Sequence, residues 1–421
     1  MKIHTLASRI TMKITTTACI NVAILFCLAF SRCGGRDPFN AKANVKRFNV
    51  LDFGARADGN TDSSRSFIKA FRAACDYNGN AVLVIPQGNF LTGPVTFSGP
   101  CINPSPLTVK VTGIIKAQPD VSWFAGGADE SDWFTFQNIH GLIITGAGTF
   151  DGQGKDAWKY NDCKTNPNCV RMAANIKFIK VWNAIIRGIT SVNPKGFHIF
   201  ISYGQNIRVV NVHLLAPARS PNTDGIHVSK SDMVKISRSS IATGDDCVSM
   251  IHGCTNITIK NVTCGPGHGF SIGSLGHYDD EFDVTRIVVT NCTLSNTDNG
   301  LRIKTYKDSA PSKASGIYFR DIIMNVVRNP IIIDQEYANS DSNKPSHVRI
   351  SDVHYTNICG TTTTKVAVNL LCSRTVPCLG LHFNNVNLKY TGILDNNVPF
   401  SSSCINARVA YVGFQSPPPC T

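Results

Sequence analysis

A short pattern recurs along this chain at intervals too small for most folds. From about residue 140 onward an apolar residue is followed by another two places later, by a small or polar residue at the fourth place after it, and usually by an apolar one at the fifth. The units are Ala184-Ile-Ile-Arg-Gly-Ile, Ile207-Arg-Val-Val-Asn-Val, Ile257-Thr-Ile-Lys-Asn-Val, Ile287-Val-Val-Thr-Asn-Cys, Ile317-Tyr-Phe-Arg-Asp-Ile, Val348-Arg-Ile-Ser-Asp-Val and Leu381-His-Phe-Asn-Asn-Val, with a weaker copy at Val234. Their starts lie 23, 27, 23, 30, 30, 31 and 33 residues apart. Each unit alternates as a half-buried strand does, and the period leaves no room for a helix behind every strand. A propeller would need periods nearer ~40 residues with internal hairpins, and a leucine-rich repeat would show Leu at fixed offsets. The pattern predicts an all-β fold, a single-stranded right-handed parallel β-helix whose coils stack strand on strand. Asn or Asp at the fourth place then sits at a turn, where its side chain satisfies local backbone groups.

An open solenoid end exposes unpaired strand edges and apolar core. The stretch Ser63 to Cys75 carries Phe67, Ile68, Phe71 and Ala74 at helical spacing and is expected to form a short N-terminal capping helix. No Pro/Ser-rich linker divides the repeats, so one domain is expected over residues 48–421, after a polar linker at 34–47.

Residues 1–33 read as a secretory signal. Lys2, Arg9 and Lys13 precede an apolar run from Ala18 to Phe30, followed by small residues at Ser31, Cys33, Gly34 and Gly35, and Met12 offers a second start. The run is shorter than the ~20 residues needed to cross a bilayer, so no membrane span is expected. Secretion means an oxidising compartment, in which the thirteen cysteines after Cys33 favour disulfides over a metal site. Short loops favour Cys163–Cys169 and Cys372–Cys378; proximity and order favour Cys75–Cys101, Cys247–Cys264 and Cys404–Cys420. Cys254, Cys292 and Cys359 are left over, and an odd count leaves at least one thiol or an intermolecular partner. Asn256, Asn261 and Asn291 open glycosylation sequons.

Composition narrows the partners. A hydrophobic fraction of 43% excludes disorder, and 16% charged residues argue against a coiled coil. The formal charge of +13 attracts polyanions; loss of Lys2, Arg9, Lys13 and Arg32 with the signal, which carries no acid, brings it to +9.

Four segments concentrate polar groups in this charge-poor chain: Ser220-Pro-Asn-Thr-Asp-Gly-Ile-His, Thr243-Gly-Asp-Asp-Cys, Cys264-Gly-Pro-Gly-His-Gly-Phe-Ser-Ile-Gly and Gly300-Leu-Arg-Ile-Lys. Asp224 and Asp245 are 21 residues apart and Asp246 and His268 are 22 apart, each interval about one coil. Residues one coil apart stack on one face, so Asp224, Asp245, Asp246, His268, Arg302 and Lys304 are expected in one cleft. Three carboxylates suit glycosidic hydrolysis, in which one acid protonates the leaving oxygen and another carboxylate activates water. Their mutual repulsion raises the pKa of at least one. Arg302 and Lys304 suit an anionic sugar, the first through paired hydrogen bonds and the second as a point charge. Taken singly, Asp-Gly and Gly-Asp-Asp are ordinary turns, and the acidic cluster lacks the ordered spacing of an EF-hand calcium loop.

Together the segments resemble the polygalacturonases, pectin-degrading glycoside hydrolases. Asn222-Thr-Asp, Gly244-Asp-Asp, Gly267-His-Gly and Arg302-Ile-Lys stand in that family's order, and Ser220–Val228, Cys264–Gly276 and Asn296–Thr305 look like its plant members. Ile331-Ile-Ile-Asp-Gln-Glu-Tyr and Lys365-Val-Ala-Val-Asn-Leu-Leu-Cys are similar to the pollen-type exopolygalacturonase branch. The resemblance, over about 48–420, implies inverting hydrolysis of α-1,4-linked galacturonate, exo rather than endo, by a monomer that needs no cofactor and no metal. It makes Asp245 the counterpart of the general acid and Asp224 and Asp246 those of the water-activating carboxylates, with His268 assisting. Arg302, Lys304, Tyr337 and Asn222 correspond to substrate-binding positions. The implied partner of the positive charge is pectin in the cell wall, with no nucleic acid. The chain departs from the family pattern at Cys247-Val-Ser-Met-Ile-His-Gly-Cys, where a glycine pair is usual, at Tyr306 in place of Trp, and at Ala338 in place of Cys.

Overall fold

The computed structural model describes residues 45–124, 132–161, 166, 171–337, 342–392 and 399–420, all within the compact unit Ala43–Thr421. Its strands wind as a right-handed parallel β-helix, each bonded to its counterpart one coil on. Alternation sends every second residue inward, and coil-to-coil register stacks like on like: Ala184 on Ile207, Ile207 on Val234, Ile257 on Ile287, Ile287 on Ile317. All of these side chains are buried. Each aliphatic side chain so enclosed contributes about 1.5–3 kcal/mol relative to exposure, repeated down the whole axis.

The fourth place of the repeat is where the chain turns a corner. Gly188, Asn211, Arg238, Asn261, Asn291, Asp321 and Asn385 all adopt left-handed backbone, with φ between 51° and 68°. A left-handed conformation costs an ordinary L-residue roughly 1–2 kcal/mol, and Asn, Asp and Gly are the residues that tolerate it. One unit is out of register. Ile317 pairs with Val353, 36 residues on, and Val353 pairs with Leu381, so the unit read at Val348 stacks on Ser312 instead. The pattern occurs twice in tandem there, because Asp352 and Asn357 are both left-handed corners.

The solenoid also begins earlier than the repeat signal. The strand Lys46–Asn49 pairs with Ala81–Ile85, starting two residues inside the expected linker, and Leu107 pairs with Leu142. Coils of unequal length, interrupted at Pro86, Pro94 and Pro100, hide the period in that region. Helix α1, Ser64–Cys75, seals the first coils with Phe67, Ala70, Phe71 and Ala74. Phe71 stacks on Phe97 at 4.3 Å, and Phe67 meets Phe90 and Phe134 edge-on. Ile68, read as part of that face, is 39% exposed because it lies one position off the i, i+3, i+4, i+7 stripe.

Six strands make the face that matters for function: β1 (Ile176–Arg187), β2 (Ile199–Ser202), β3 (Ile226–Ser229), β4 (Val248–Met250), β5 (Phe270–Leu275) and β6 (Asn299–Tyr306). Register aligns one outward row along them, Lys177, Phe200, His227, Ser249, Ser271 and Arg302, flanked by buried rows such as Ile226, Val248, Phe270 and Leu301. The coils from Ile226 to Val248 and from Val248 to Phe270 span only 22 residues each. The coil before them spans 27 residues, from Ile199 to Ile226, and the one before that 23, from Ile176 to Ile199; the coil after them spans 31, from Phe270 to Leu301, and one of 42 runs from Phe134 to Ile176.

Disulfides join Cys75 to Cys101, Cys247 to Cys264, Cys372 to Cys378 and Cys404 to Cys420. Cys163 and Cys169, like the signal at 1–33 and Ala338, lie outside the described residues. Cys254 and Cys292 are buried thiols whose pKa burial pushes up to about 12 and about 11; Cys359 is half-buried. Among the sequons, Asn261 and Asn291 are exposed, whereas the Asn256 amide donates to Asp232 and accepts from Arg286. No helix among the described residues is long and apolar enough to cross a membrane.

The corner geometry makes a clear prediction. Asn211→Val should lower the unfolding free energy in denaturant by about 1–2 kcal/mol, whereas Asn211→Gly should stay within about 0.5 kcal/mol of the unaltered chain. Equal costs for the two would remove the corner constraint as their cause.

Candidate active site

Three turns at one edge of β3, β4 and β5 carry the acidic groups. Asp224 precedes β3, Asp245 and Asp246 precede β4, and His268 precedes β5. The turns are laced together. Thr243 Oγ1 bonds the Thr223 carbonyl, Gly244 N donates to Thr223 Oγ1 at 3.1 Å, and Ser220 Oγ meets Thr223 Oγ1 at 2.7 Å. The Cys247–Cys264 bond ties the second turn to the third, and His268 N donates to the Asp245 carbonyl at 2.7 Å. Gly267 permits that approach, since a Cβ there would lie 2.9 Å from the same carbonyl oxygen with φ at +153°.

The three carboxylates have different partners. Asp246 is held by Arg302 at 2.6 Å, Lys304 at 3.1 Å and Ser271 at 2.7 Å. Arg302 also donates from Nε to Ser271 at 2.9 Å, and Lys304 lies 5.0 Å from the Tyr337 ring centroid. Ile303 between them enters the core, as strand alternation requires. Opposite charge outweighs burial at both cations and raises each above its ordinary value. Asp245 accepts from His268 Nδ1 at 3.0 Å, and its side chain is 14% exposed against 2% for Asp246. Burial would raise Asp245, but the hydrogen bond and charge of His268, with Lys304 and Arg302, hold it well below the usual carboxylate range. Burial likewise opposes the charge on His268, and Asp245 overcomes it, so that His268 is raised. The third carboxylate is the counterpoint. Asp224 accepts from Ser249 at 2.7 Å, and burial together with the charge of Asp245 lifts it above the ordinary range against the pull of His227.

The six residues singled out by coil spacing thus converge, with Tyr337 beside Lys304. Asn222 stands a little aside, its amide donating to Asn161 at 2.6 Å. The sequence reading missed Ser249, Ser271 and His227. Each sits outward between two buried apolar residues, as in Val248-Ser249-Met250, which is the ordinary alternation of a strand and does not by itself mark a site. It also missed Asp298, whose Oδ2 lies 3.7 Å from His268 Nε2.

Asp245, Asp246 and His268 offer ligand atoms within 4.8 Å of one another, the spacing of a metal site. Arg302 and Lys304 already counter the charge of Asp246, so a divalent cation would displace two side-chain cations to bind. The arrangement instead supplies what acid–base chemistry on an anionic ligand needs: one carboxyl coupled to a charged imidazole, one carboxylate of raised basicity, and a cationic pair with donors left over.

The family model described as glycosyl hydrolases family 28 matches residues 75–412. An exopolygalacturonase of Arabidopsis thaliana is 44% identical, covering 95% of this chain and 96% of that protein. An exopolygalacturonase of Platanus acerifolia is 43% identical over 88% and 96% respectively. The crystal structure of a hyperthermoactive exopolygalacturonase from Thermotoga maritima superposes with a TM-score of 0.73 at 21% identity, covering 87% of this chain and 91% of that one, a likeness of fold.

The different partners separate a structural from a chemical role. Asp246→Asn leaves two buried cations unbalanced and should lower the unfolding free energy by about 3–5 kcal/mol. Asp245→Asn should cost distinctly less. Denaturant titration of both variants checks the order, and the reverse order would contradict the charge pairing described.

Proposed function

Because the chain belongs to glycosyl hydrolase family 28, we propose that it hydrolyses the α-1,4 links of polygalacturonate by inversion, removing galacturonate from the non-reducing end. The observation that carries this reading is the convergence of Asp224, Asp245, Asp246 and His268 with Arg302 and Lys304. The exo preference rests on the names of the plant relatives. The four disulfides among the described residues and the apolar run Ala18–Phe30 support secretion to the cell wall, where an excess of positive charge favours approach to pectin.

A mechanism follows from the partners. The uronate carboxylate meets the donors that Arg302 and Lys304 do not spend on Asp246 and Ser271. That negative charge cancels the field which holds Asp245 ionised. Asp245 then takes the proton that His268 shares with it across 3.0 Å and delivers it to the glycosidic oxygen as the bond to the anomeric carbon breaks. Asp224, the carboxylate of raised pKa, is the stronger base of the group and removes a proton from the attacking water. Asp246 holds Arg302 and Lys304 in place and flanks the same water.

Polygalacturonate incubated with the protein should give monomer from the first time point. A ladder of oligomers would mean endo action, and an unsaturated product absorbing in the ultraviolet would mean a lyase. Asp245→Asn should lower turnover roughly 10²–10⁴-fold, or about 3–5 kcal/mol of barrier, in a folded protein.

The proton on His268 sets the alkaline limit. With His268 raised above the ordinary 6.5, turnover should hold until the pH passes that raised value and then fall as the proton is lost. His268→Gln leaves Asp245 to lose its proton in the carboxylate range, so the alkaline limb of kcat should move to lower pH. An unmoved limb would take His268 out of the proton path.

A further inference from the structure

Two of the site carboxylates are held by the same device. Asp246 accepts from Ser271 Oγ at 2.7 Å, and that oxygen in turn accepts from Arg302 Nε at 2.9 Å. Asp224 accepts from Ser249 Oγ, also at 2.7 Å and also 25 residues on in sequence, and Ser249 Oγ lies 2.7 Å from His227 Nδ1. A serine hydroxyl has one proton, and here it points to the carboxylate. While Asp224 is ionised, Ser249 Oγ donates to it and accepts from His227, which places a proton on Nδ1. Ser249, Ser271 and Arg302 are neighbours in the outward row, with His227 at its other side, so both chains of bonds are products of one register.

The modules differ in their last member. The guanidinium of Arg302 is always charged, and with Lys304 it keeps Asp246 matched by cations. The imidazole of His227 supplies a directed N–H without that permanent charge. Its ring is clamped, stacked on Phe197 at 4.5 Å with 13° between planes and edge-on to Phe200 at 5.1 Å. Arg171 lies over both phenylalanine rings, at 5.7 and 5.4 Å. His227 Nδ1 is itself 3.6 Å from Asp224 Oδ2, so a tilt of either ring or hydroxyl would change which group holds the carboxylate.

We infer that Ser249 and His227 are positioning residues that aim Asp224 at the attacking water while leaving it free to take up a proton. Asp246, in the matching module, is confined by two cations to a supporting role. The groups that face Asp224 are His227 on the strand that follows it, Ser249 on the next, and Asp245 and Asp246 from the adjoining turn. Burial, Asp245 and Asp246 oppose its charged form, His227 favours it, and the hydroxyl of Ser249 donates to it. This inference rests on the hydrolytic reading above.

The test is the pH dependence of kcat and KM on polygalacturonate for the unaltered chain and for Ser249→Ala, Ser249→Thr and His227→Phe, with thermal unfolding of each. Ser249→Ala should lower kcat about 10- to 100-fold with KM within about twofold, because the hydroxyl orients a base rather than gripping substrate. Loss of its hydrogen bond raises the Asp224 pKa, so the acidic limb of kcat should move to higher pH. Ser249→Thr retains the hydroxyl and should restore most of the rate and the limb. His227→Phe keeps the stacking on Phe197 and should move the limb in the same direction as Ser249→Ala. A fall in kcat with an unmoved acidic limb, or a rise in KM at constant kcat, would overturn the inference. Absence of product from the unaltered chain would overturn the hydrolytic reading itself, and this inference with it.

Discussion

Register between coils is the constraint on which everything else in this molecule depends. A parallel ladder brings residues one coil apart to neighbouring positions on one face, so that an interval of 22 residues becomes a step of about 4.8 Å. Register is held by two things acting together: buried aliphatic stacks such as Ile257, Ile287 and Ile317, and left-handed corners that fix where the chain bends. A slip of one residue would turn the outward row into the core and the core into solvent. The same slip would dismantle the site, because Ser249, Ser271 and Arg302 belong to that row.

The site is an exercise in unequal treatment of like groups. Three carboxylates lie close together, and repulsion alone would leave their protonation ambiguous. Partners drawn from different coils separate them: two cations for Asp246, an imidazole for Asp245, a hydroxyl backed by an imidazole for Asp224. The cations do double service, since the same Arg302 and Lys304 that neutralise Asp246 also bias Asp245 toward its charged form. Binding an anion at those cations therefore acts on Asp245 without touching it.

Much of this was legible in the sequence because a solenoid writes its period along the chain. The six charged residues were found by coil spacing, and the fourth-place Asn and Asp turned out to be left-handed corners. Reading failed where the period was ambiguous. At Val348 and Val353 two copies of the pattern abut, and only backbone pairing shows which stacks on Ile317. The first coils were invisible because their lengths vary and prolines break their alternation. Ser249, Ser271 and His227 went unnoticed for another reason: a single hydroxyl or ring between apolar neighbours carries no spacing signal until the row it joins is known. The protonation of Asp245 was beyond any motif, because it depends on the summed charge of three other side chains.

The two 22-residue coils have a topographic meaning. They are the shortest on the face that bears the site, and they carry the turns of Asp245, Asp246 and His268, while Asp224 closes the 27-residue coil before them. Residues enough for strands and tight turns leave nothing to raise a wall, whereas the adjoining coils of 27 and 31 residues have length in excess of the strands they contain. The groove is thus made by omission, as a floor where the chain is too short to build upward. Length variation among descendants of such a chain would be admitted in the flanking coils, where it could reshape how a polymer enters, and refused in these two, where one added residue would bulge into the catalytic floor.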